Sequence, residues 1–154
     1  MTRHAIRSCL AALAVAFALI VGPARGAVHP GVIVINDDGG GGVSDHVKFY
    51  NRIREAGIPV RIEGMCVSAC TLVLDLPRNE VCITSTASFG FHLASDGDPN
   101  PNLTEALIRR FYPPAVQQWI KDYTRIHGKL SERVIYMTFD EIMDLDVLSE
   151  CGGQ

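Results

Sequence analysis

Between Gly31 and His92 the apolar positions fall into short dense runs separated by stretches of helical spacing. Val32 to Ile35, inside Gly31 to Asn36, is an unbroken β-branched run and reads as a strand. Asp37, Asp38 and four consecutive glycines, Gly39 to Gly42, end it. Val43, Val47, Tyr50 and Ile53 then recur at helical spacing, and Gly57 and Pro59 stop that helix. Ile58 to Ile62 is a second strand, broken by Gly64. Ser68 to Leu76 is almost wholly apolar and reads as a buried helix that ends at Pro77. Glu80 to Thr84 and Ala87 to His92 are two more short strands. Strands alternating with helices predict one parallel sheet with right-handed crossovers. From Leu93 the pattern changes. Ser95 to Asn102 is a loop by its Asp, Gly, Pro and Asn content, and helical patterns follow at Leu103–Phe111, Pro114–Ile126 and Phe139–Leu145. The expected fold is α/β, with a mostly helical C-terminal third.

The first 26 residues belong to a different problem. Arg3, His4 and Arg7 precede an apolar run from Cys9 to Val21, and Ala24-Arg25-Gly26 stands before Ala27. A basic start, an apolar middle and small residues at −3 and −1 describe a secretory signal peptide cleaved at Gly26-Ala27. The apolar run is too short for the roughly 20 residues that span a bilayer. The expected mature chain is one domain, Ala27 to Gln154, exported to the periplasm or the medium, with no stable membrane span.

Charge and cysteine content change their meaning once the signal is removed. The whole chain has 14 basic and 17 acidic residues, net −3. Arg3, Arg7 and Arg25 leave with the signal, so the mature chain is more acidic still. Such a surface gives no support to nucleic-acid binding. Four cysteines remain, Cys66, Cys70, Cys82 and Cys151. In an oxidising compartment an even number points to disulfides rather than metal, and the Cys66–Cys70 spacing does not match common zinc sites. Three pairings are open. A bridge from Cys66 or Cys70 to Cys82 would lock the Ser68 turn to the sheet.

Three features could carry chemistry. The glycine run follows a strand, where open parallel sheets bind ligands, but it matches neither a P-loop nor a dinucleotide fingerprint. A small anion-binding nest such as an oxyanion hole remains, against the plainer reading of a flexible turn. Ser68 stands at the start of the apolar helix in Gly64-Met-Cys-Val-Ser68-Ala-Cys-Thr71. It is either an ordinary N-cap or a nucleophile beside the Ala69 N–H and the positive helix end. His92 ends the strand Phe89-Gly-Phe-His92, where it could take and return the serine proton or simply be structural. His29, His46 and His127 have no comparable placement and read as surface residues.

Together these features resemble the Clp protease proteolytic subunit and its ClpP/crotonase-fold relatives, with a ββα-type parallel sheet. In that family a strand ending Asn-Ser-Pro-Gly-Gly supplies an oxyanion amide. Here the strand ends Ile35-Asn36-Asp37-Asp38-Gly39-Gly40. The family's Gly-x-x-x-Ser is matched by Gly64 to Ser68, its strand-end His by His92, and its Met-Ser-x-Glu-Glu by Met137-Thr138-Phe139-Asp140-Glu141. The resemblance runs from Val32 to Leu148. Cys-x-Ser-Ala-Cys-Thr and Gly-Phe-His are similar to a group of exported, ClpP-like periplasmic proteins.

The resemblance implies a serine hydrolase, most naturally a peptidase acting on a peptide or protein. Ser68 would be the nucleophile, His92 the general base, and the N–H groups of Gly39, Gly40 and Ala69 the oxyanion hole, with no cofactor and no metal. It admits a homo-oligomer, although the mature chain is shorter than a Clp subunit. One departure bears on activity. Val134 occupies the place of the family's third triad member, an Asp; Glu132, Asp140 or a backbone carbonyl would have to orient the imidazole instead. Lys48, Lys121 and Lys129 have no evident place in a Ser–Lys dyad. The competing expectation is a catalytically silent domain of the same fold, used for binding or assembly. A crotonase-like acyl-CoA enzyme fits an exported acidic chain poorly.

Overall fold

The β-branched run that opens the domain forms β1 (Ile33–Ile35), and the helical spacing after the glycines forms α1 (Val43–Ala56). The description rests on a computed structural model and covers residues 31–95 and 100–152. The expected signal peptide with its cleavage point, His29 and the middle of the Ser95–Asn102 loop lie outside the described residues. Gly57 closes α1 in the left-handed conformation, φ 60°. Next come β2 (Val60–Ile62), β3 (Met65–Val67), a 3₁₀ helix (Ser68–Asp75), a 3₁₀ turn (Arg78–Glu80), β4 (Val81–Ile83) and β5 (Ser88–Phe91). The C-terminal third holds α2 (Pro101–Phe111), α3 (Pro114–His127), β6 (Ile135–Met137), α4 (Phe139–Asp144) and β7 (Ser149–Glu150). The chain is α/β, and this third is mostly helical.

Two sheets form where one was expected. The first is parallel throughout, in the order β1-β2-β4-β7; the second, β3-β5-β6, has a parallel and an antiparallel pair. Strand periodicity sorts the side chains. Ile35, Ile62 and Ile83 form one buried row across the first sheet, and Cys66, Phe89 and Met137 form another across the second. The division follows from bends after β1, β2 and β4. A Cβ on Gly64 would lie 1.5 Å from the Asn36 carbonyl oxygen, so only glycine lets β2 turn into β3 there. Asp38 pairs with Cys66 as an isolated bridge. Its N–H donates to the Met65 carbonyl at 2.8 Å, and the Val67 N–H donates to the Asp38 carbonyl at 2.8 Å. The chain after β1 therefore reaches the edge of the second sheet and carries the glycine run to the end of β3.

The apolar segment after β3 is a 3₁₀ helix rather than the expected α-helix, and Ser68 is its first residue rather than its cap. Side-chain hydroxyls compete for its carbonyls. Thr71 donates to the Ser68 carbonyl at 2.5 Å and Tyr50 to the Cys70 carbonyl at 2.9 Å, which favours the tighter turn. Further on, the Met137 to Glu141 segment has a clear structural use. Thr138 and Glu141 form a capping box at the start of α4, and Asp140 lies in that helix's first turn.

Candidate active site

Ser68 holds an uncommon backbone conformation. Its φ is 59°, one of two non-glycine residues with positive φ among those described. A β-carbon there is strained by roughly 1–2 kcal/mol, and such strain persists only where the surroundings impose it. Here three contacts impose it. The Thr71 hydroxyl holds the Ser68 carbonyl. Thr71 is fully buried and shares a 2.6 Å hydrogen bond with the Tyr112 hydroxyl. A disulfide between Cys66 and Cys70 closes the five-residue loop around the serine. The Ser68 hydroxyl makes no hydrogen bond among the described residues.

The second disulfide, Cys82–Cys151, ties β4 to the chain beyond β7. Of the three open pairings this is the one without a bridge from Cys82 to Cys66 or Cys70. Cys82 is in register with Arg61 on the outward row of the first sheet, whereas Cys66 is buried under the second. The serine turn is locked to itself.

Gly40 is pressed against the serine. Its φ is 86°, and a Cβ on it would lie 2.6 Å from the Ser68 Cβ and 2.8 Å from the Ala69 nitrogen. Of the two expected oxyanion donors beside Ser68, the Ala69 N–H is in the first turn, whose amides have no partner within the helix. The Gly40 N–H is different: it donates to Asp38 Oδ1 at 2.7 Å. The other Asp38 oxygen meets His46 Nε2 at 3.3 Å, and His46 Nδ1 lies 3.2 Å from the Gly42 carbonyl. His46 was expected on the surface, but its side chain is only 16% exposed and belongs to this cluster. Gly39 is exposed, and a Cβ on it would meet open space. His127 is exposed, as its pattern predicts.

His92 follows β5 and shares a cavity with Ser68. Ala69, Leu72, Phe91 and Ile108 form apolar walls, and the space is narrow, about 30 Å³, enough for one or two waters. The ring Nδ1 lies 2.7 Å from the Leu93 carbonyl oxygen. A carbonyl only accepts, so Nδ1 carries a proton, and in the neutral ring the lone pair is on Nε2. Glu132 and Asp140 are exposed, and neither carboxylate bonds to His92. Val134 packs against β5, where a Cβ on Gly90 would meet it at 2.8 Å. The Leu93 carbonyl is what holds the imidazole, and the Leu93 N–H is itself tied to the Ser131 carbonyl at 2.8 Å. No cluster of three or more His, Cys, Asp or Glu able to hold a metal occurs among the described residues, and none of their helices is long and apolar enough to cross a membrane.

The phenols beneath the site shape its alkaline stability. Burial pushes the Tyr112 hydroxyl up to about 12, partly offset by the Thr71 hydrogen bond. Burial first, and the Asp38 charge second, raise Tyr50 further. Both native states favour the neutral phenol, so their contribution is complete below the ordinary tyrosine value near 10 and fades as pH rises above it. The denaturation midpoint in urea is expected to fall between about pH 10 and 12, and less steeply in a Tyr112→Phe variant.

No protein-family model matches the chain, and no curated protein does. Among solved structures it is similar to a ClpP1 mutant from Listeria monocytogenes, at 15% identity and TM-score 0.45, over 78% of this chain and 72% of that one. It is also similar to a chain described only as an enzyme, at 13% identity and TM-score 0.48, over 82% and 81%.

Proposed function

We propose that the protein is an exported serine hydrolase, most simply a peptidase, in which Ser68 and His92 form the catalytic pair. The observation that carries this reading is the left-handed Ser68, pinned between Gly40 and a disulfide loop, opening into the cavity lined by His92. A strained serine at a strand-to-helix turn is how acyl-transfer enzymes expose a nucleophile. Export is supported by the two disulfides, which persist in oxidising compartments.

In this reading His92 Nε2 takes the Ser68 proton as Oγ bonds to the substrate carbonyl carbon. The oxyanion is met by the Ala69 N–H, and by the Gly40 N–H once that group is free. The imidazolium then gives its proton to the leaving amine as the carbon–nitrogen bond breaks, and water repeats the sequence to release the acid.

A second reading, a silent domain used for binding or assembly, is favoured by one observation: among the described residues no carboxylate meets His92 Nδ1, and Val134 fills the place where the resemblance expects an acid. A fluorophosphonate probe separates the two. Labelling of the purified protein that vanishes in Ser68→Ala establishes the hydrolase. A folded wild type that stays unlabelled establishes the silent domain.

A further inference from the structure

The loop that should supply an oxyanion donor is occupied by its own side chain. Gly40 must come close to Ser68, since any Cβ there would strike both Ser68 and Ala69, yet its N–H donates to Asp38 Oδ1 at 2.7 Å. Asp38 is held in this position by its backbone and by one side-chain contact. Its backbone is bridged to β3 on both sides, and its second oxygen lies 3.3 Å from His46 Nε2, itself anchored near the Gly42 carbonyl. A carboxylate beside this position opposes the reaction twice. It competes for the donor, and its negative charge repels the oxyanion that would form there.

Resting on the serine hydrolase reading, we infer that Asp38 is a built-in brake on the oxyanion hole. The carboxylate closes the hole by holding the Gly40 N–H, and His46 holds the carboxylate in that position. Substrate turnover requires the acyl oxygen to displace Asp38 from Gly40. Asp38 is thus a residue that restrains the reaction rather than one that takes part in it.

The test is the second-order rate at which a fluorophosphonate labels the purified full chain. Asp38→Ala, which removes the acceptor, is expected to label tenfold or more faster than wild type, since one oxyanion donor is worth about 10²–10³ in rate. Asp38→Asn keeps an acceptor for the Gly40 N–H and loses only the charge, so its rate should lie between the two. Asp38→Ala labelling no faster than wild type overturns the proposal, and with wild-type labelling intact the hydrolase reading survives. No labelling of any folded variant removes both. Hydrogen exchange at the Gly40 amide of the wild type needs no variant. Protection well beyond that of a free loop amide is expected, and exchange at the free rate overturns the brake.

Discussion

Replacing His92 with alanine is expected to lower the rate of Ser68 acylation by about 10²–10⁴, the usual contribution of a positioned general base. Glu132→Gln and Asp140→Asn should change it by no more than about twofold, because charges this exposed act weakly at a distance. The asymmetry follows from what holds the imidazole. In a full triad a buried carboxylate sets the tautomer and also stabilises the imidazolium by its charge. Here the Leu93 carbonyl at 2.7 Å does the first and not the second. The tautomer, whose loss carries most of the penalty in a triad, is therefore preserved. In the hydrolase reading such a base acts more slowly than one backed by an anion. Stopped-flow labelling by the probe, with each variant at matched concentration, reads the difference directly. A hundredfold loss in Glu132→Gln would show that a carboxylate reaches the ring in the reacting state and that the carbonyl is not its orienter.

Much of this arrangement was legible in the sequence because it rests on local rules. The helical spacing of Val43, Val47, Tyr50 and Ile53 gave α1, and Gly57 gave its end. Gly64, Ser68 and His92 were singled out by position alone, and Ser68 and His92 do face one cavity. What escaped was non-local. β3 is only Met65 to Val67, too short for a period to register, and its existence splits the sheet in two. β7 joins the first sheet from the far end of the chain. Spacing cannot announce such a pairing. The choice between α and 3₁₀ after Ser68 depends on hydroxyls from Thr71 and Tyr50, one of them supplied by a different helix. Asp38 and His46 were missed for a similar reason. Nothing in the spacing of Asp38 tells where its oxygens turn. An Asp two residues before a glycine was the available signal, since Asp side chains commonly accept from the N–H two residues on.

The two disulfides should separate stability from reactivity. Cys82 and Cys151 are 69 residues apart, whereas Cys66 and Cys70 are 4 apart. By loop-closure entropy the long bridge stabilises the fold by about 4 kcal/mol and the short one by about 2 kcal/mol. The functional ranking is the reverse. The long bridge lies on the outward face of the first sheet, away from the serine. The short one encloses Ser68, whose φ of 59° is a conformation that a free chain avoids. Opening it lets the serine relax toward negative φ, which re-aims Oγ within the cavity that Ser68, Ala69 and His92 line. A displacement near 1 Å costs about 10²-fold in rate. A Cys82→Ser/Cys151→Ser double variant is therefore expected to lose more of its urea midpoint while labelling at close to the wild-type rate. Cys66→Ser/Cys70→Ser is expected to lose less stability and about 10² in labelling rate. If the Cys66 and Cys70 variant labels as fast as wild type, the disulfide does not impose the serine geometry, and the Thr71–Tyr112 hydroxyl pair alone must hold it.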